Sequence, residues 1–103
     1  MYVIEILLPL YGADGAALDE SELAQLRDIL TDRFGGVTAY LRAPAEGTWH
    51  DLEAGETAHD EIAVIEVMVE SVDRHWWAGF REQLEVRLGQ KELVIRSVAA
   101  DRL

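Results

Sequence analysis

The chain has no cysteine, and that absence removes disulfides, thiolate nucleophiles and cysteine-based zinc sites together. Basic residues are scarce: nine Lys and Arg stand against twenty Asp and Glu, for a formal net charge of −11. A surface of that sign repels phosphate backbones and anionic headgroups, so neither nucleic acid nor a membrane is expected as a partner. Long apolar runs are missing too, and none approaches the ~20 residues a membrane-spanning helix needs. The opening MYVIEILLPL lacks a basic leader and a small-residue cleavage site and alternates like a strand, so a signal peptide is not expected and the cytoplasm is the default compartment. There is no Ser-His-acid order, P-loop or dinucleotide fingerprint. The RFGG at residues 33–36 has the wrong spacing for a phosphate loop and follows a helix instead of preceding one. No cofactor is expected.

What is present is a chain of 103 residues, half of them hydrophobic, which suits one domain over residues 1–103 with a single modest core. Residues 2–10 alternate with period two, placing Ile4, Ile6 and Leu8 on one face and Val3, Glu5 and Leu7 on the other. A turn-rich YGADGAA leads to a first helix capped by Asp19, with Glu22 completing a D-x-x-E capping box. Leu23, Leu26, Leu30 and Phe34 form its buried stripe, and Gly35 stands where a left-handed terminal cap belongs. A second strand covers residues 37–42, and EIAVIEVMVE, residues 61–70, is the strongest strand in the chain. Between them, residues 43–60 are polar, with a small hairpin turning at Ala54 and Gly55. Asp73 caps a second helix whose stripe is Trp77, Phe80, Leu84 and Leu88, Gly89 ends it, and residues 92–100 make the last strand.

The order β-α-β-β-α-β predicts an α+β, ferredoxin-like sandwich: a four-stranded antiparallel sheet, spatial order 4-1-3-2, with two helices on one face. The core face should then carry Ile4, Ile6, Leu8, Val37, Ala39, Leu41, Ala63, Ile65, Val67, Val69, Leu93 and Ile95. The opposite face holds Val3, Glu5, Leu7, Thr38, Tyr40, Arg42, Ile62, Val64, Glu66, Met68, Val94, Arg96 and Val98. A solvated face should read mostly polar. This one is mainly apolar, which marks an interaction surface and points to a homodimer formed through the open face. RNA-recognition domains share the topology, but their paired strand aromatics and basic charge are missing here.

Three kinds of site compete. Arg96, Glu5, Glu66 and Arg42 are expected in one row across the four strands, as an interface ion-pair network or as a ligand cleft. In the cleft reading Glu5 or Glu66 is a catalytic base and Arg42 and Arg96 hold an anionic substrate, as in a small dimeric α/β-barrel enzyme. Tyr40, Val64, Met68 and Trp49 join Arg42 and Arg96 as ligand-binding or interface residues. A hairpin turning at Ala54-Gly55 would oppose His50 and His59, with Cβ atoms about 5 Å apart and Glu61 on their face, as a two-His, one-carboxylate metal site. That register also sets Glu53 against Glu56, which argues against it. Trp76 lies at the edge of the second helix's stripe, beside Phe80, where it covers the helix–helix groove or reaches a partner.

The residues Arg33, Phe34, Gly35, Gly36, Thr38, Tyr40, Gly47, Trp49 and Asp51, ahead of a valine-rich strand, resemble small bacterial proteins of a domain-of-unknown-function type. That resemblance covers the middle half of the chain and carries no activity or catalytic residue with it. The reading that follows is a homodimeric module that binds a small ligand or a protein, with an enzyme as the competing class.

Overall fold

The computed structural model describes residues 1–11, 17–36, 38–51 and 56–103, and of residues 38–51 and 56–61 the backbone alone. In chain order the elements are β1 (Tyr2–Pro9), α1 (Glu20–Phe34), β2 (Thr38–Asp51), β3 (Glu56–Val69), α2 (Arg74–Leu88) and β4 (Val94–Ala99). The molecule is α+β. Its side-chain core is built on three antiparallel strands, with β1 between β3 and β4, and two helices. The β2 backbone runs antiparallel along the outer edge of β3, so the sheet order is β2-β3-β1-β4.

Local chemistry sets the helix ends. The Asp19 carboxylate accepts from the Ser21 N–H at 3.0 Å, and the Asp73 carboxylate accepts from the Trp76 N–H at 3.1 Å. Each satisfies a donor that a helix start leaves without an intrahelical partner. Gly35 and Gly89 end the helices at φ 78° and 63°, left-handed values that only glycine adopts without strain. The capping box does not close. The Glu22 carboxylate instead accepts from Arg87 of α2 at 2.8 Å, and Gln25 takes the same guanidinium nitrogen. A charge-assisted bond that ties two helices together outcompetes a local one.

The period-two pattern decides which face is covered. Ile4, Ile6 and Leu8 of β1 and Ala63, Ile65 and Val67 of β3 are buried, as is Leu93 just ahead of β4. Leu26 and Leu30 of α1 and Trp77, Phe80 and Leu84 of α2 close over them. Large side chains buried this fully contribute about 1.5–3 kcal/mol each, an upper figure against a compact unfolded chain. Val69 and Ile95 are half-buried, Leu23, Phe34 and Leu88 finish the stripes, and Ile29 is largely exposed. The core positions Val37, Ala39 and Leu41 lie outside the described side chains.

Between the helices Phe34, Trp76, Trp77 and Phe80 form one aromatic cluster. Phe34 stacks on Trp77 at 5.2 Å and Trp76 on Phe80 at 4.9 Å. Arg33 lies 4.2 Å from the Trp76 ring centre and 3.9 Å from the Asp73 carboxylate. Trp76 therefore covers the helix–helix groove, as one of its two sequence readings had it.

The largest departure from expectation is the reach of β2 and β3. A strand ending at residue 42, a polar segment with at most a small hairpin at Ala54-Gly55, and a strand starting at 61 were expected. The backbone instead pairs from Ala45↔Ile62 out to Asp51↔Glu56, beyond the Pro9↔Ile62 end of β1. The turn predicted at Ala54-Gly55 falls outside the described residues, but the pairing on either side corrects its register: His50 faces Thr57, and His59 faces Thr48. Between Tyr40↔Val64 and Ala45↔Ile62, β2 advances five residues while β3 advances two, so the ladder is broken there. Pro44 sits inside that break, where its missing N–H leaves no ladder bond unmade.

Candidate functional site

The face of the sheet turned away from the helices is built from three rows, fixed by the strand register. Val98, Val3 and Met68 lie side by side across β4, β1 and β3; Arg96, Glu5 and Glu66 form the next row, and Val94, Leu7 and Val64 the third. A charged row is thus set between two apolar ones. Met68, Val94 and Val98 are 64%, 47% and 46% exposed, while Val3, Leu7, Ile62 and Val64 are half-buried among their neighbours.

Within the charged row, Arg96 donates to both Glu5 oxygens, from Nε at 3.3 Å and from Nη2 at 3.4 Å. The Glu5 side chain is only 17% exposed, Arg96 56%. Glu66 stands directly across from Glu5 on the neighbouring strand, and among the described residues no ion pair reaches it. Two carboxylates opposed on adjacent strands repel, and one guanidinium serves one of them. Among the described side chains the row therefore holds two carboxylates and one guanidinium.

The expected fourth member is not in the row. Thr38, not Arg42, is opposite Glu66, and Arg42 lies in the stretch where the β2 ladder is broken. The three extra residues of β2 displace every later position relative to β3, so parity counted along the sequence does not carry through. The backbone register thus does not set Arg42 beside Glu66, and the Arg42 side chain lies outside the described residues. The side chains of Tyr40, Arg42, Trp49, His50, His59 and Glu61 lie outside the described residues. Directly opposed histidines, the premise of the metal site, are replaced by the His50–Thr57 and Thr48–His59 pairs. Among the described residues no cluster of three His, Asp or Glu has a metal-binding arrangement, and no helix is long and apolar enough to cross a membrane.

Among the described residues, the two roomiest clefts lie elsewhere, and neither is lined by Glu5 or Glu66. One, of about 410 Å³, follows the outer groove of the helices beside His75, Trp76, Phe80 and Arg87. The other, of about 320 Å³, lies where α2 meets β4 and carries Arg74 and Arg81 over Ile4, Trp77 and Ile95, with Arg96 at its edge. The sequence signal for this second cleft is the spacing of Arg74 and Arg81, two turns apart on one stripe of α2 with Trp77 and Ala78 between them. Sequence reasoning followed the apolar stripe of that helix and passed over its arginines.

No protein-family model and no curated protein matches the chain, so the likeness to bacterial domain-of-unknown-function proteins finds no support there. Among solved structures the chain is similar to a phage SAM lyase in complex with S-methyl-5'-thioadenosine, with a TM-score of 0.57 and 12% sequence identity. The similarity covers 94% of this chain and 79% of that one. At that identity the likeness is one of fold, and a fold hosts many chemistries.

Proposed function

We propose that the chain is a ferredoxin-like module, with β2 completing a four-stranded sheet, that self-associates through the open face and binds a small molecule there. The observation that carries this is the three-row pattern: exposed Met68, Val94 and Val98 flank a row with one guanidinium for two opposed carboxylates. The apolar rows favour removal from water. The charged row is costly to bury unless Glu66 gains a cationic partner. A ligand that combines a net positive charge with a flat, partly apolar body answers both demands. SAM, net positive through its sulfonium and ammonium groups and carrying an adenine ring, belongs to that class. Likeness in fold to a SAM lyase supports the choice of that ligand class as the first to test.

Isothermal titration with SAM and with uncharged S-methyl-5'-thioadenosine tests the ligand. SAM should bind more tightly, and Glu66→Gln should remove most of the difference between the two. Failure of both to bind would reject the small-molecule reading and leave self-association to be judged separately. A second reading, catalysis at the same face with Glu5 or Glu66 as a base, is favoured by the lyase activity named for the similar fold. In that role Glu66 is the better placed, because Glu5 is already held by Arg96. Incubation with SAM should then yield a cleaved product with the wild type and none with Glu66→Gln.

A further inference from the structure

The cleft between α2 and β4 has a charge opposite to that of the molecule. Arg74 and Arg81 of α2 line one opening in a protein of net charge −11, and Arg96 of β4 lines its edge. Arg81 and Arg96 are each held by a carboxylate. Arg81 gives Nη1 to Glu85 at 3.0 Å, and Glu85 is itself held by the Leu93 N–H at 2.9 Å. Arg96 gives Nε and Nη2 to Glu5, which holds its guanidinium on the open face, across the sheet from the cleft floor. Arg74 has no ion pair among the described residues.

Two further features point to an anion. The first turn of α1 carries Glu20 and Glu22, whereas that of α2, after its Asp73 cap, carries no acid and begins with Arg74. A cation at the positive end of a helix dipole is unfavourable by itself, and an anion beside it reverses the sign. The second feature is the outer edge of β4. The Ala100 N–H donates to the Met1 carbonyl, which sets the alternation of the antiparallel ladder between β1 and β4. The N–H and C=O groups of Ile95 and Ser97 then point away from β1, along the edge that lines the cleft. The floor, made by Ile4, Trp77 and Ile95, is apolar.

We propose that this cleft is a binding site for a small organic anion, a carboxylate or phosphate on an apolar body, with Arg74 and Arg81 as its charged clamp and the Ile95 and Ser97 edge as additional donors. Its volume of about 320 Å³ lies within the usual range of small-molecule pockets. The site is separate from the open face, touching it only through Arg96.

Benzoate and its neutral counterpart benzyl alcohol are suitable probes, followed by backbone amide NMR shifts and isothermal titration on the intact chain. Benzoate should bind about ten-fold or more tightly than the alcohol, as loss of one charge-assisted hydrogen bond implies, with the largest shifts at Arg74, Ile95 and Ser97. Arg74→Gln and Arg81→Gln should each weaken benzoate several-fold, and Arg102→Gln, in the exposed C-terminal tail, should not. Arg74→Gln removes no intramolecular ion pair seen among the described residues, so a fold lost through Arg81→Gln would not obscure the result. Equal binding of acid and alcohol, no binding of benzoate, or unchanged affinity in Arg74→Gln would overturn the proposal.

Discussion

Residues that act within a few positions of themselves behave as their chemistry dictates. Asp19 and Asp73 cap because a short carboxylate reaches the free N–H groups of the turn that follows it. Loss of such a cap costs about 1 kcal/mol, so Asp73→Ala should lower the urea midpoint by that equivalent, and Asp73→Ser should recover most of it. An unchanged midpoint in Asp73→Ala would remove the cap from the account. Leu30, fully buried, should cost about 2–5 kcal/mol on truncation to alanine, and Ile29→Ala, at 39% exposure, well under that. Both contrasts were legible in the sequence, because a cap and a helical stripe are local patterns. Glu22 was not legible. Its partner Arg87 is 65 residues away, and no short-range pattern distinguishes a capping carboxylate from one that joins two helices.

At the scale of elements, the two helices and the alternating β1 were legible for the same reason, and the order 4-1-3-2 already set β2 beside β3; the reach and register of that pair were not legible. Pro44 and Gly47 are turn signals in any sequence reading. The backbone accommodates Pro44 at a break in the ladder and pairs Gly47 with Asp60, so strand continues where punctuation was expected. The register at the start of β2 puts Thr38, not Arg42, opposite Glu66, and only the positions beyond Tyr40 are displaced by the break. The opposition of Glu5 and Glu66, by contrast, did follow from strand order and alternation. It yields a prediction for the uncomplexed protein: Glu66→Gln should stabilise the fold by roughly 0.2–1 kcal/mol, the scale of a cross-strand pair, as read from thermal and urea unfolding. A marked destabilisation would mean that Glu66 already has a cationic partner and that the row has no excess charge to offer a ligand. Glu66→Gln combines higher stability with lower SAM affinity if the row is a binding site, the usual opposition of stability and function.

For the whole molecule, the claim is that a sheet covered by helices on one side is covered by a second copy on the other. The sequence supplied this expectation, since Val3, Leu7, Val64, Met68, Val94 and Val98 break the polar alternation of a solvated face. The structure leaves three of them largely exposed in the single chain, on the side opposite α1 and α2. Met68 is the informative position. At 64% exposure it contributes little to the fold of one chain, yet it sits among the exposed valines that an interface would bury. Sedimentation velocity of the wild type and of Met68→Glu at micromolar concentration is the most direct test. The account predicts a wild-type dimer, and for Met68→Glu a monomer with an unchanged circular dichroism spectrum. A wild type that sediments as a monomer, or a Met68→Glu variant that remains fully associated, would contradict it.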